Sequence, residues 1–272
     1  MPASRVACLI SENTVTHRNL PVREGGHHLG EARRCRGPVS LGESAMSCQA
    51  TPAKEASSVS STLLSPAEEL ANRITHGIGL FLSLAGVAVM VQVLGQEDGW
   101  RVAGCSVYLF SLISVYAMST LSHTFETPRL RKMFRALDQG AIYLLIAATY
   151  TPFSMAYLHT TPWWIVLGLV WTIALWGFFS KVFFAYRVEQ VSMWPCIVLG
   201  LIPFVCVPSL VGVVSLAALW WMLLGVGFYT LGLVFWVNDR RVRQFHAVWH
   251  VFVIAGSACH FVAILLFVVL AR

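Results

Sequence analysis

His246 and His250 stand one helical turn apart in the apolar stretch FHAVWHVFVIAGSACHF (245–261), with His260 further along. A histidine in hydrocarbon is costly without a partner, so an ionisable residue there points to function. Ser119 and His123 repeat the i, i+4 spacing in SVYAMSTLSHTF, and Asp138 opens LDQGAIYLL. Residues four apart share one helix face. Three imidazoles and one carboxylate suit a divalent zinc ion, and a catalytic zinc uses three protein ligands with a position left for water. The metal brings the pKa of that water towards neutrality and makes hydroxide available as a nucleophile. His123, His246 and His250 are the expected ligands. Asp138 would hold the water as a general base or close the shell as a fourth ligand. Ser119 would orient a ligand or donate to a substrate oxygen. An HxxxH pair alone could equally hydrogen-bond neighbouring helices. The metal reading rests on the added histidine and aspartate.

These groups meet only if helices carry them to one depth of a bilayer, and the composition calls for one. The 272 residues are 57% hydrophobic and 12% charged, with a mean hydropathy of +0.68. A soluble domain is nearer half apolar and a quarter charged. A spanning helix needs about 20 mostly apolar residues. Seven segments qualify: 77–95, 102–124, 137–157, 163–184, 191–208, 214–236 and 246–270. The fifth is short and holds Pro195 and Pro203, so a kink is expected. The chain is therefore expected to be an all-α integral membrane protein, a seven-transmembrane helix bundle.

Lys and Arg orient that bundle. Eight of the 19 precede the first span, and nine lie in the connections after spans two, four and six. Only Arg101 and Arg272 fall on the other side. The positive-inside rule puts the N-terminus in the cytoplasm and the C-terminus outside. His123, Asp138, His246 and His250 then share the cytoplasmic depth, and Asp138 is the only carboxylate inside any of the seven segments. The formal charge of +6 sits in short runs between apolar segments, which suits topology control and excludes a nucleic-acid stripe.

Residues 1–64 are rich in Ser, Gly, Arg and Glu and lack hydrophobic periodicity, the composition of a disordered tail. Met46, opening MSCQATPAKEASSVSS, is a candidate start. Order is expected to begin in the 65–272 membrane domain, where Ser65, Pro66 and Glu68 have the form of a capping box. The seven cysteines form no CxxC pair and no metal spacing. His260 lies about 20 Å beyond the pair by helical rise and reads as packing. His76, in RITHG, could approach the site but reads better as interfacial. PWW at 162–164 fits an aromatic belt, Trp220 and Trp221 read as packing, and the glycine spacing around Gly225 and Gly232 is too common to carry a message.

EELANRITHGIG (68–79), SxxxH (119–123), LDQGAIYLLIAATYTPF (137–153) and HAVWHVFVIAGSACHF (246–261) resemble the hemolysin III family. These are bacterial relatives of the progestin and adipoQ receptors, in a wider group with the alkaline ceramidases. The likeness covers roughly 66–270. It implies a seven-helix membrane protein with a zinc site near the cytoplasmic face, His123, His246 and His250 as ligands, Asp138 on the metal-bound water and Ser119 beside it. Ser122 stands where the family often has Tyr, and Gln139 where it often has His. Three functions follow as expectations. The first is zinc-dependent hydrolysis of a lipid amide or ester, with membrane lipids as partners. The second is cytolysis by a membrane-perturbing or pore protein. The third is a receptor or sensor with structural zinc. The cell membrane, plasma or inner, is the expected location. A retinal protein is excluded because 246–270 has no lysine for a Schiff base.

Overall fold

A computed structural model describes residues 66–184, 194–239 and 241–271. The N-terminal tail, Met46, Ser65, Arg187, Arg240 and Arg272 lie outside the described residues. Five long helices alternate with short connections: α1 Pro66–Leu94, α2 Gly99–Thr124, α3 Pro128–Tyr157, α4 Thr161–Phe184 and, after a broken segment, α7 Leu216–Val237. The broken segment is α5 Trp194–Leu201, a 3-10 turn Ile202–Cys206 and α6 Val207–Leu210. The last helix, α8 Phe245–Ile264, runs into a π turn over Leu265–Val269. No strand occurs among the described residues.

Among the described residues, five helices are long and apolar enough to cross a membrane: α1, α2, α4, α7 and α8 with its π turn. The expected third span lies in α3, which has 30 residues but a mixed composition. Its first turns carry Arg129, Arg131, Lys132, Arg135 and Asp138, and its second half holds Thr, Tyr and Pro152. The expected fifth span is more interrupted than a kinked helix. Pro195, Pro203 and Pro208 each remove a backbone donor, and the chain passes from α-helix to 3-10 and back. Local signals set the other ends. Asp98 caps α2 by accepting from the amides of Trp100 at 2.9 Å and Arg101 at 3.1 Å, and Ser215 caps α7 through Ala218. Such a cap contributes about 1 kcal/mol.

Polarity is inverted relative to a soluble protein. Phe110 is 72% exposed and Trp176 78%, while Asn72, His76, His123, Ser119 and His250 are buried. Water would not tolerate so much outward apolar surface, whereas hydrocarbon does. Helix α1 makes the point along its length. Its inward face carries Glu69, Asn72, His76, Gly79, Ser83, Gly86, Met90 and Leu94, a stripe at three- and four-residue spacing that is polar and small for most of its run. Consecutive helices α1 to α4 pack in sequence, α7 packs on α8, and α8 returns against α1. That return brings the two ends of the described chain together and closes the site.

Two glycines let helices approach. A Cβ on Gly232 of α7 would sit 2.7 Å from the Trp249 ring, and one on Gly225 2.6 Å from the His260 ring. The glycine spacing that carried no message in sequence marks where α8 seats on α7. Trp220, read as packing, instead points outward at 70% exposure.

Candidate metal centre

Four histidines gather at one end of the helices. His76 is on the inward stripe of α1, His123 is in the last turn of α2, and His246 and His250 are in the first two turns of α8. The His76 and His250 rings meet edge-on with centroids 3.7 Å apart. His123 lies 6.0 Å from His76 and 5.7 Å from His250. Each of the three offers a ligand atom, and those atoms all lie within 4.8 Å of one another. Donors around a tetrahedral zinc stand about 3.3 Å apart for bonds near 2.05 Å, so small side-chain rotations would close the gap.

The donor chemistry fits a metal ion. All three residues are 4% exposed. Both nitrogens of His76 and both of His250 lack a hydrogen-bond partner among the described residues. A buried polar atom left unsatisfied costs about 1–3 kcal/mol, and native interiors seldom keep several side by side. Coordination would satisfy one nitrogen of each ring. Neutral imidazoles with no thiolate select a borderline cation such as zinc over calcium or magnesium.

The expected residues fall into this picture unequally. His123 and His250 belong to the tight group. His246 is next to it, 4.4 Å from His250 and 5.7 Å from His123 by ring centroids, with its Nδ1 2.9 Å from Asp239 Oδ2. Asp138, partly exposed in α3, faces Ser119 and is within electrostatic reach of His246 and Arg135. The Ser119 hydroxyl is buried and makes no hydrogen bond of ordinary geometry. Neither His246 nor Asp138 is among the ligand atoms within 4.8 Å.

Two participants were not among the expected ligands. His76 enters the tight group, and Glu69, one face of α1 below it, places Oε2 2.8 Å from His123 Nδ1. The signal was present in EELANRITHG, because Glu69, Asn72 and His76 lie at i, i+3 and i+7. His260 stays apart, stacked on Tyr229 at 5.6 Å, near a hydroxyl cluster in which Tyr116 and Tyr229 each lie 2.9 Å from Ser257 Oγ.

A family profile described as haemolysin-III related matches residues 64–261. The chain belongs to that family. It is 36% identical to Hemolysin-3 of Bacillus cereus over 203 residues, covering 74% of this chain and 92% of that protein. It is 34% identical to the Hemolysin-3 homolog of Bacillus subtilis, covering 74% and 95%. The human monocyte to macrophage differentiation factor is 26% identical over 206 residues, covering 72% of this chain and 83% of that one. No solved structure matches the chain. The family and the five apolar helices make it a multi-pass membrane protein.

Proposed function

We propose that this hemolysin III protein is a zinc-dependent intramembrane hydrolase acting on the amide or ester of an amphipathic membrane lipid. The observation that carries the reading is the convergence of three buried imidazoles from α1, α2 and α8, of which His76 and His250 have no hydrogen-bond partner among the described residues. His123 and His250 belong to every donor set in this reading. The third ligand is His246, expected from the sequence, or His76, which lies closer. Bound zinc supplies Lewis acidity and brings the ionisation of a water near neutral pH. Asp138 takes the proton from the attacking water as general base. Ser119, one turn from His123, donates to the carbonyl oxygen of the lipid. The exposed apolar helix faces suit a bilayer, from whose hydrocarbon an acyl chain would have to reach the site.

The same reading includes seven crossings, with α3 and the broken 194–210 segment completing the five apolar helices. At 30 residues α3 is about 45 Å long by helical rise, enough to span. The Lys and Arg distribution supports an N-terminus and a histidine cluster on the cytoplasmic side, and a plasma or inner membrane belongs to the same proposal. The name of the Bacillus relatives, Hemolysin-3, favours a second reading, cytolysis. Pores line a conduction path with polar rings, whereas here His76, His123, His250 and Glu69 gather at one end.

The test is elemental analysis of detergent-purified wild type beside the His246→Ala/His250→Ala double variant, followed by a screen of lipid amides and esters. About one zinc per wild-type chain, lost in the folded variant, with hydrolysis that follows the metal, supports the enzyme. Metal-free wild type that still lyses membranes overturns it in favour of perturbation. Stoichiometric zinc without turnover on any lipid leaves a structural metal in a sensor.

A further inference from the structure

We infer that Glu69 and Asp239 are positioning residues that hold the rings of His123 and His246 so that each presents Nε2 to the metal. The inference rests on the zinc reading above. In both pairs the contact is at Nδ1: Glu69 Oε2 at 2.8 Å from His123 and Asp239 Oδ2 at 2.9 Å from His246. A carboxylate accepts only, so Nδ1 carries the proton and donates, and the lone pair is left on Nε2. This is the carboxylate–histidine pairing that fixes tautomer, orients the ring and raises its basicity in metal sites. Two such pairs occur at the one cluster where four imidazoles meet.

Glu69 is placed for this task. It is 8% exposed and comes from the first turn of α1 to meet a ring at the end of α2. Its two oxygens divide the work. Oε2 takes His123, while Oε1 lies 3.4 Å from Arg131 and 3.8 Å from Arg135, both of α3. The arginines compensate a charge that would otherwise be costly to bury. From the same helix, Arg73 donates to the His123 carbonyl through Nε at 3.3 Å and Nη2 at 3.2 Å. Helix α1 therefore fixes His123 at both ring and main chain. Asp239 acts more locally, from the turn before α8. His76 and His250 have no carboxylate partner and depend on the ion alone.

The test uses full-length protein in detergent, with zinc affinity measured by chelator competition and the site reported by the visible absorption of the cobalt-substituted form. Glu69→Gln and Asp239→Asn are each expected to weaken zinc binding 10–100-fold and to alter the cobalt spectrum. A tie that only joins helices would not change that spectrum. If wild type takes up no metal, the zinc reading fails and the inference falls with it. If wild type binds while both variants keep its affinity and spectrum, the zinc reading stands and the positioning role is overturned. Should Glu69→Gln fail to fold because Arg131 and Arg135 lose their partner, Asp239→Asn decides by the same two measurements.

Discussion

The rings of His76 and His250 meet edge-on at 3.7 Å, although the two residues come from the first and last α-helices of the described chain. Neither ring has a hydrogen-bond partner among the described residues. Helix packing alone gives two unpaired imidazoles no reason to face each other in an apolar interior, since apolar side chains would fill the same space without the desolvation cost. On the zinc reading proposed above, an ion between them and His123 would supply the reason. The α1–α8 contact would then be a consequence of the site as much as its scaffold.

Zinc retention in single alanine variants should separate the four histidines into two classes. His123→Ala and His250→Ala each remove a donor common to every ligand set, so stoichiometric zinc is lost. His76→Ala and His246→Ala each leave three imidazoles, so metal is kept at an affinity weakened roughly 10–100-fold, on the scale of a disturbed ligand environment. The double variant His76→Ala/His246→Ala should lose it. Complete loss in one of these two single variants, with none in the other, would assign a single third ligand and reject the exchange.

Asp138→Asn should retain zinc and lose turnover. The carboxylate lies outside the tight donor group but is within electrostatic reach of Ser119 and His246. An amide of the same shape cannot take a proton, and removing a general base costs about 100- to 10,000-fold in rate. Elemental analysis and lipid hydrolysis on one preparation check both halves. Loss of the metal together with the activity would instead make Asp138 a ligand.

The helices, the polar residues within them and the HxxxH and SxxxH spacings were legible because each is a local pattern. What was not legible depends on how the helices rotate against one another. Glu69 and His123 are 54 residues apart, and their bond exists only because α1 turns its polar stripe towards the end of α2. His76 looked interfacial because a lone histidine at a helix end carries no partner in its own sequence. The breaking of the 194–210 segment was half visible in its prolines. Its conversion to a 3-10 turn depends on packing that spacing does not encode.

Gly232→Ala should destabilise the protein by about 1–3 kcal/mol, the usual cost of overpacking. The added methyl would lie 2.7 Å from Trp249 and 2.9 Å from Phe252, both on α8. Trp249 is next to His250 in sequence, so relief by shifting α8 also displaces a ligand. Thermal unfolding in detergent should fall for both metal-loaded and chelator-treated protein, with the larger drop in the loaded form. An equal drop would place the strain away from the histidines. Gly227, where an added Cβ meets open space, is the control: Gly227→Ala should leave the unfolding temperature unchanged or slightly higher, since alanine favours a helix.

Gln244 precedes α8 with φ of 67°, the only non-glycine residue in the left-handed region among those described. That conformation costs a side-chain-bearing residue about 1–2 kcal/mol. It turns the chain so that His246 enters α8 towards Asp239 and the site. Glycine adopts it freely, and a β-branched residue suffers most. Stability should therefore follow the order Gln244→Gly at or above wild type, then wild type, then Gln244→Ile lower by about 1–2 kcal/mol. The Ile variant should also weaken zinc binding, because relaxing the turn rotates His246 away from its neighbours. Thermal unfolding and chelator competition on the three proteins test this together. An Ile variant that matches wild type in both would mean that α8 does not need the left-handed entry to deliver its histidines.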